Sequence, residues 1–199
     1  MRGRVYLVGA GPGDPELLTL KAARVLAGAE VVLHDRLVGE GVLALVNPGA
    51  HRIYVGKEVG QQGVQEEILA LMLAYARKGC AVVRLKGGDP MVFGRGGEEW
   101  RFLVEQGVAV EVVPGVSSAI AAPSLAGIPL TLRGVAGGFA VVSGQGQGGE
   151  LPSLAAYAGV ETLVVLMGVS QRQQLAAQLI ALGRPPAEPV AFIERSSTP

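Results

Sequence analysis

RVYLVGAGPGDPELL, residues 4–18, joins a β-branched apolar run to a glycine-rich turn and the start of a helix. A strand, a glycine turn and a helix in that order make the first half of a βαβ unit. A dinucleotide-binding version of this turn carries G-x-G-x-x-G. Here Gly9, Gly11 and Gly13 are followed by Asp14 in the sixth position. A carboxylate at that point caps the helix N-terminus to which a pyrophosphate would bind. The turn is therefore either purely structural or shaped for a ligand without phosphate. Asp35, which ends the next run EVVLHD, stands where such folds place a ribose-binding acid.

Working outward, short β-branched runs alternate with helical patterns along the chain. Strands are predicted at 4–9, 30–35, 52–56, 81–88, 108–115, 139–144, 161–168 and 189–194. Several lack period-two alternation, as expected of parallel strands covered on both faces. Helices are predicted after the Asp14 cap, from Pro15 to the residue before Gly28, and over 65–79 and 170–183. The third has a capping-box pattern in Ser170 and Gln173. The fold class expected is α/β, as two sub-domains with mainly parallel sheets. The small-residue segment PGVSSAIAAPSLAGIPLT (114–131) places their boundary near 112–118, giving domains 1–113 and 114–199.

Composition narrows the function. Of 199 residues, 49% are apolar, only 17% are charged and 30 are glycine, which describes a well-buried fold with many tight turns. Seventeen basic and 17 acidic side chains cancel, so no basic stripe points to nucleic acid. The lone Cys80 excludes an intrachain disulfide framework, and His34 and His51 lack partners at metal-ligand spacing, so no metal is expected. MRGRVYLVG is too short and glycine-rich for a signal peptide, and no apolar run is long enough to cross a bilayer. A soluble, cytoplasmic protein without a membrane partner is the expectation.

The chemistry is concentrated in loops that follow strands: GAGPGDP (9–15), KGGDPMVFGRGGEE (86–99), PGVSSA (114–119) and MGVS (167–170). Ligands of open α/β sheets bind beyond the carboxyl ends of strands. Two of these loops contain glycine-aspartate-proline, at 13–15 and 88–90. Each alone could be a mere turn. Together they suggest a pocket lined by backbone amides and carbonyls, suited to a neutral or cationic nucleoside more than to a phosphate.

Taken with DRLV (35–38), VGK (55–57), QEEI (65–68), RLKGGDPMVFGRGGEE (84–99), PGVSSAIAAPSLAGIPLT and LMG, the opening stretch resembles the tetrapyrrole methylase family. Within it the resemblance is to enzymes that methylate uroporphyrinogen III with S-adenosyl-L-methionine (SAM). The motifs run in collinear order over nearly the whole chain. The resemblance implies two α/β domains with SAM in the cleft between them, a homodimer, and methylation of two pyrrole carbons. The product would be precorrin-2, for sirohaem and cobalamin synthesis, with S-adenosyl-L-homocysteine (SAH) released.

Carried over by motif, the SAM contacts would be Pro12, Gly87, Gly88, Asp89, Val92, Ser117, Ser118, Met167 and Ser196. Asp35 would be the proton acceptor and Lys57 the proton donor. Attack of an electron-rich pyrrole carbon on a sulfonium methyl gains from orientation and desolvation, and the methylated ring must then exchange protons. A substrate with many carboxylates needs local cations, and arginine forks pair bidentately with them. Arg95 is the first candidate, with Arg36 and Arg133 next and Arg84 and Arg101 as further positions that ordinary salt bridges would equally explain. Gln62 and Leu132 stand where family members often carry histidine, and relatives usually continue beyond FIERSSTP. The competing readings are a sibling methylase acting on a later corrin precursor, an NAD(P)-dependent reductase and a non-catalytic SAM- or tetrapyrrole-binding protein. DRLV with GK favours the uroporphyrinogen enzymes, and the missing sixth glycine disfavours the reductase.

Overall fold

The computed structural model describes residues 3–56, 64–194, 196 and 197. The chain divides into two compact units, one running to Ser118 and including Ser197, the other Ala119–Ser196.

The first unit is built on β1 (Arg4–Gly9), β2 (Val31–His34), β3 (His51–Tyr54), β4 (Ala81–Lys86) and β5 (Ala109–Val113). All pair in parallel, in the order β3-β2-β4-β1-β5. Helices cover both faces, which is why the strands read as unbroken apolar runs. On one face α1 (Leu20–Ala27) and the short α2 (Glu40–Leu43) bring Ala22, Leu26 and Val42 against Val8, Val32, Val83 and Leu85. On the other, α3 (Val64–Arg77) and α4 (Gly96–Glu105) bring Ile68, Met72, Ala76 and Leu103 against Val5, Leu7, Val31, Leu33 and Val82. Ile68, Met72 and Ala76 recur every four residues, so α3 offers the sheet one apolar stripe. Burying each of the larger side chains contributes about 1.5–3 kcal/mol. Glu66 and Glu67 in the first turn of α3, and Arg77 in its last, suit the helix dipole.

The second unit contains a parallel pair, β6 (Phe139–Ser143) and β7 (Thr162–Leu166), and the helix α6 (Arg172–Ala181). Val142, Leu154 and Leu175 form its core, with Leu163, Val165 and Leu179 packed around them. Beyond α6, Arg184 donates to the carbonyls of Ala158 (3.0 Å) and Val160 (2.8 Å) and pairs with Glu188. The helix α5 (Ser118–Leu125) starts in the first unit and continues into the second.

Several sequence expectations are corrected. The first helix is interrupted: Pro15–Leu17 make a single 3-10 turn capped by Asp14, Leu18 is extended, and α1 begins afresh behind Thr19. The Thr19 hydroxyl accepts from the amide of Ala22 at 3.2 Å, a second N-cap that pattern reading passed over. Ser170 does not cap the later helix; Val169–Gln171 form a 3-10 turn and α6 starts without a side-chain cap. Residues 189–194 form no strand, because no described strand offers their backbone a partner, and Val190 and Phe192 stand exposed. Residues 96–99, read as loop, are the first turn of α4.

Candidate active site

The strand order locates the site. β4 lies between β1 and β2, yet the helices that follow β1 and β2 pack on one face while α4, which follows β4, packs on the other. Adjacent strands whose connections leave in opposite directions open a crevice at their carboxyl ends. The loops beyond β1, β2, β4 and β5 carry Pro12, Asp35, Gly87–Val92 and Ser117 respectively.

Backbones crowd at this edge. The turns after β1 and β4 bond to each other, with Gly88 N donating to Gly11 O at 2.7 Å and Gly11 N to Gly88 O at 3.2 Å. The two glycine-aspartate-proline loops are thus one connected backbone surface. A Cβ at Gly115 would lie 2.3 Å from Gly88 O and 2.7 Å from Gly9 Cα. Glycine there is a condition of the three strand ends meeting. Gly115→Ala is expected to cost about 1–3 kcal/mol, as overpacking does. Urea unfolding measures the loss.

Three aspartates in the loops that follow strands make the same turn. Asp14, Asp35 and Asp89 each accept, through Oδ1, the amide of the residue two further on: Glu16 (2.8 Å), Leu37 (3.0 Å) and Met91 (2.8 Å). Such Asx turns fix the loop and aim the second oxygen. Asp89 Oδ2 accepts Gly115 N at 3.0 Å, which ties the loop after β5 to the loop after β4. Asp35 Oδ2 faces the guanidinium of Arg84, with Nη2 at 3.5 Å, and its side chain keeps 24% exposure.

Behind Asp35 lies a cluster that sequence reasoning missed. Arg84 and Lys86 alternate on β4 with Val83 and Leu85, so both face α3 and α4. Both are buried, and they converge on Glu99 of α4, which is 0% exposed. Glu99 Oε1 accepts from Lys86 Nζ (3.0 Å), Gln65 Nε2 (3.1 Å) and Arg84 Nε (3.4 Å). Glu99 Oε2 is buried without a hydrogen-bond partner among the described residues. Arg84 Nη1 also donates to the carbonyls of Leu85 (3.1 Å) and Leu33 (3.5 Å). Arg84 is therefore no part of a substrate-facing rim.

Burial pushes the Lys86 ammonium below its ordinary value of 10.5, the charge of Arg84 adds to this, and Glu99 opposes both. In the interval between that lowered value and 10.5 the unfolded chain holds more protons than the folded one. Stability therefore rises with pH across the interval, and the cost of burying the charge is felt in full below it. Lys86→Met should remove that rise, seen as a flatter plot of unfolding free energy against pH than the parent gives.

The remaining sequence candidates fall as follows. Met91, Val92 and Phe93 are exposed at the tip of the loop after β4. Among the described residues, Phe93, Arg95 and Met167 are the non-glycine positions with positive φ, at 50°, 58° and 59°. All three belong to loops already singled out, and strain of this kind gathers at functional sites. Arg95, half exposed, grips Glu98 with Nη2 to Oε2 at 2.6 Å and Nε to Oε2 at 3.1 Å, and holds that carboxyl below its ordinary value. An exposed pair is worth only about 0–1 kcal/mol, so another carboxylate can displace Glu98 at little cost. Arg36 and Arg133 are exposed, and Arg101 approaches Glu105 at 3.9 Å. Ser117 and Ser118 stand at the start of α5. In the second unit Met167 follows β7 and is half exposed, and Ser196 is half-buried. Leu132 pairs with Ala136 across a tight turn. Lys57 and Gln62 lie outside the described residues. A hollow of about 210 Å³ lined by Tyr6, Arg24, Gly28 and Ala81 opens near the ends where strands begin and holds none of these groups.

Comparison with known proteins agrees with this geometry. Residues 4–199 match the family model of the Tetrapyrrole (Corrin/Porphyrin) Methylases. The chain is 50% identical over 202 residues to the S-adenosyl-L-methionine-dependent uroporphyrinogen III methyltransferase, chloroplastic, of Arabidopsis thaliana, covering 99% of this chain and 55% of that protein. It is 48% identical over 201 residues to Siroheme synthase 2 of Halorhodospira halophila, covering 100% of this chain and 41% of that one. The chain thus spans about half the length of these relatives. Among solved structures it is similar to the uroporphyrin III C-methyl transferase of Thermus thermophilus, with a TM-score of 0.89, 61% identity and coverage of 99% of this chain and 85% of that one. The same enzyme complexed with S-adenosyl homocysteine gives a TM-score of 0.88 at 60% identity, over 99% of this chain and 80% of that one. A family match over nearly the whole sequence, joined to half or more identical residues in a relative and in a solved structure of the same fold, leaves one assignment: the chain belongs to the tetrapyrrole methylase family.

Proposed function

We propose that this protein transfers methyl groups from SAM to two pyrrole carbons of uroporphyrinogen III, giving precorrin-2 for sirohaem and cobalamin synthesis, as a cytoplasmic homodimer. The observation that carries the reading is Asp35, held at the carboxyl end of β2 by Leu37 N and Arg84 while a quarter of its side chain stays open, at 24%. Its setting, beside the glycine loops of a chain 61% identical to a uroporphyrin III C-methyl transferase, supports that substrate over a later corrin precursor. The relative acting on cobalt precorrin-4 stands at 30% identity.

The residues present fit a sulfonium nucleoside. Gly87 and Gly88 leave backbone bare at the strand end, and a Cβ on Gly87 would meet Leu37 Cβ at 2.8 Å. Asp89 keeps lone pairs beyond its two backbone donors, while Val92 and Met167 offer exposed apolar surface. Pro12, Ser117 and Ser118 of the first unit would join Gly87, Gly88, Asp89 and Val92 in holding SAM, and Met167 and Ser196 of the second are candidates on the family resemblance alone. When bound, SAM supplies a methyl group open to displacement by an electron-rich carbon. Asp35 then takes a proton from the methylated ring, Lys57 returns one elsewhere on the macrocycle, and Arg95, Arg36 and Arg133 receive peripheral carboxylates.

The direct test is incubation with uroporphyrinogen III and methyl-labelled SAM, following incorporation and product mass. Two methyl groups per macrocycle are expected. No incorporation despite SAH binding in a calorimeter would overturn the reading in favour of a binding protein. Incorporation only with a later corrin precursor would reassign the substrate, and binding of NADH without SAM would point to a reductase.

A further inference from the structure

We propose that Glu99 is a positioning residue for Asp35: it holds Arg84 turned so that one arm of the guanidinium, and not both, reaches the Asp35 carboxylate. The inference rests on the reading of Asp35 as proton acceptor.

All three nitrogens of the Arg84 guanidinium are engaged. Nε points to Glu99 at 3.4 Å, Nη1 to the carbonyls of Leu85 and Leu33 at 3.1 and 3.5 Å, and Nη2 alone to Asp35 at 3.5 Å. An arginine beside an unrivalled carboxylate pairs with it bidentately, through two parallel bonds. Asp35 Oδ1 already accepts Leu37 N, so a bidentate clamp would leave only about one of the carboxylate's four lone-pair sites for an incoming proton. Glu99 competes for the guanidinium through Nε, and the carbonyls of Leu85 and Leu33 hold Nη1, which leaves Asp35 the Nη2 arm alone. The competition needs a fixed anion, and the surroundings fix it. Gln65 of α3 and Lys86 of β4 hold the same oxygen, Oε1, at 3.1 and 3.0 Å, while Oε2 is left without a partner among the described residues. A carboxylate present only to neutralise Lys86 would gain by sharing its donors over both oxygens. Concentrating three donors on one oxygen aims Glu99 at Arg84. Among the described residues, the charged groups in this patch are Asp35 beyond β2, Arg84 and Lys86 on β4 and Glu99 on α4, with the neutral Gln65 on α3.

Glu99→Gln keeps the shape and removes the charge. It should lower kcat for methyl transfer at least about tenfold, since charge-assisted bonds are roughly twice as strong as neutral ones, and leave the Kd for SAH within about twofold. In protein labelled with 13C at aspartate carboxyls, the Asp35 signal, assigned by its loss in Asp35→Asn, should move. In an Arg84→Met background the same substitution should change neither kcat nor the signal further, whereas a merely structural role would add its cost in both backgrounds. If Glu99→Gln does not fold, Lys86→Met/Glu99→Leu replaces the pair by apolar groups and takes the same measurements. An Asp35 signal and kcat equal to the parent's overturn the proposal, as does a moved signal with unchanged kcat. If the parent transfers no methyl group, the proposed function fails, and the Asp35 signal alone decides whether the coupling exists.

Discussion

Glu99→Ala is expected to destabilise the protein by about 3–5 kcal/mol, the cost of removing one partner from a buried ion network. The substitution takes away the carboxylate that serves both Arg84 and Lys86 inside the protein, where these two are 4% and 5% exposed. Arg84 keeps Asp35 and two carbonyls, but Lys86 is left without an acid in direct contact among the described residues, and shedding its proton relieves the buried charge. The truncation also empties space beneath Lys86 and Gln65, which adds a cavity term. A fall in the urea midpoint at unchanged slope measures the effect. The exposed pairs Arg95–Glu98 and Arg101–Glu105 set the contrast, since removing either acid should change stability by only about 0–1 kcal/mol. A loss below about 1 kcal/mol for Glu99→Ala would mean that water reaches the cluster and that its charges are screened. Lys86→Met with Glu99→Leu should recover most of the loss, because well-packed apolar groups replace buried ion pairs without penalty.

That cluster also marks where sequence reading stopped. The parallel sheet was legible because its strands are short apolar runs separated by glycine turns, and the sheet edge was legible because those turns carry aspartate and proline. Asp35 could be singled out for the same reason, as an acid that ends a strand. Glu99 could not, because FGRGGEEW reads as a polar loop followed by an exposed helix start. One signal was available. In AVVRLK, arginine and lysine fall two apart in a strand whose other residues demand burial on both faces, so both cations must meet an acid beneath one face. Which acid answers them depends on how α4 packs, and that is tertiary information. The interrupted first helix is a different case. Asp14 and Thr19 are both good caps, and local preference alone does not say that Thr19 restarts the helix. The strand expected at 189–194 fails for a third reason. A β-branched run states a tendency, while a strand needs a neighbour to bond to.

Asp35→Asn is expected to lower kcat for methyl transfer by about 10²–10⁴-fold, the range general acid–base groups supply, while the Kd for SAH changes little. The substitution is nearly silent structurally. Asparagine Oδ1 can still accept Leu37 N, so the turn after β2 survives, and Arg84 retains Glu99 and the carbonyls of Leu33 and Leu85. What disappears is the capacity to accept a proton, together with the anion facing Nη2. An amide has no carboxylate charge to draw the proton from a methylated ring, so the chemistry slows without any change in how the glycine loops receive the nucleoside. Turnover assays beside SAH calorimetry separate the two. If kcat and SAH affinity fell together, Asp35 would be holding the loop after β2 in shape and no more. If neither fell, the proton would be leaving by another group, and Asp35 would be one more loop turn like Asp14, whose Oδ1 accepts Glu16 N at 2.8 Å. The two aspartates share an Asx turn. They differ in their second oxygen, which for Asp35 meets a buried guanidinium at 3.5 Å, and that difference is what the experiment tests.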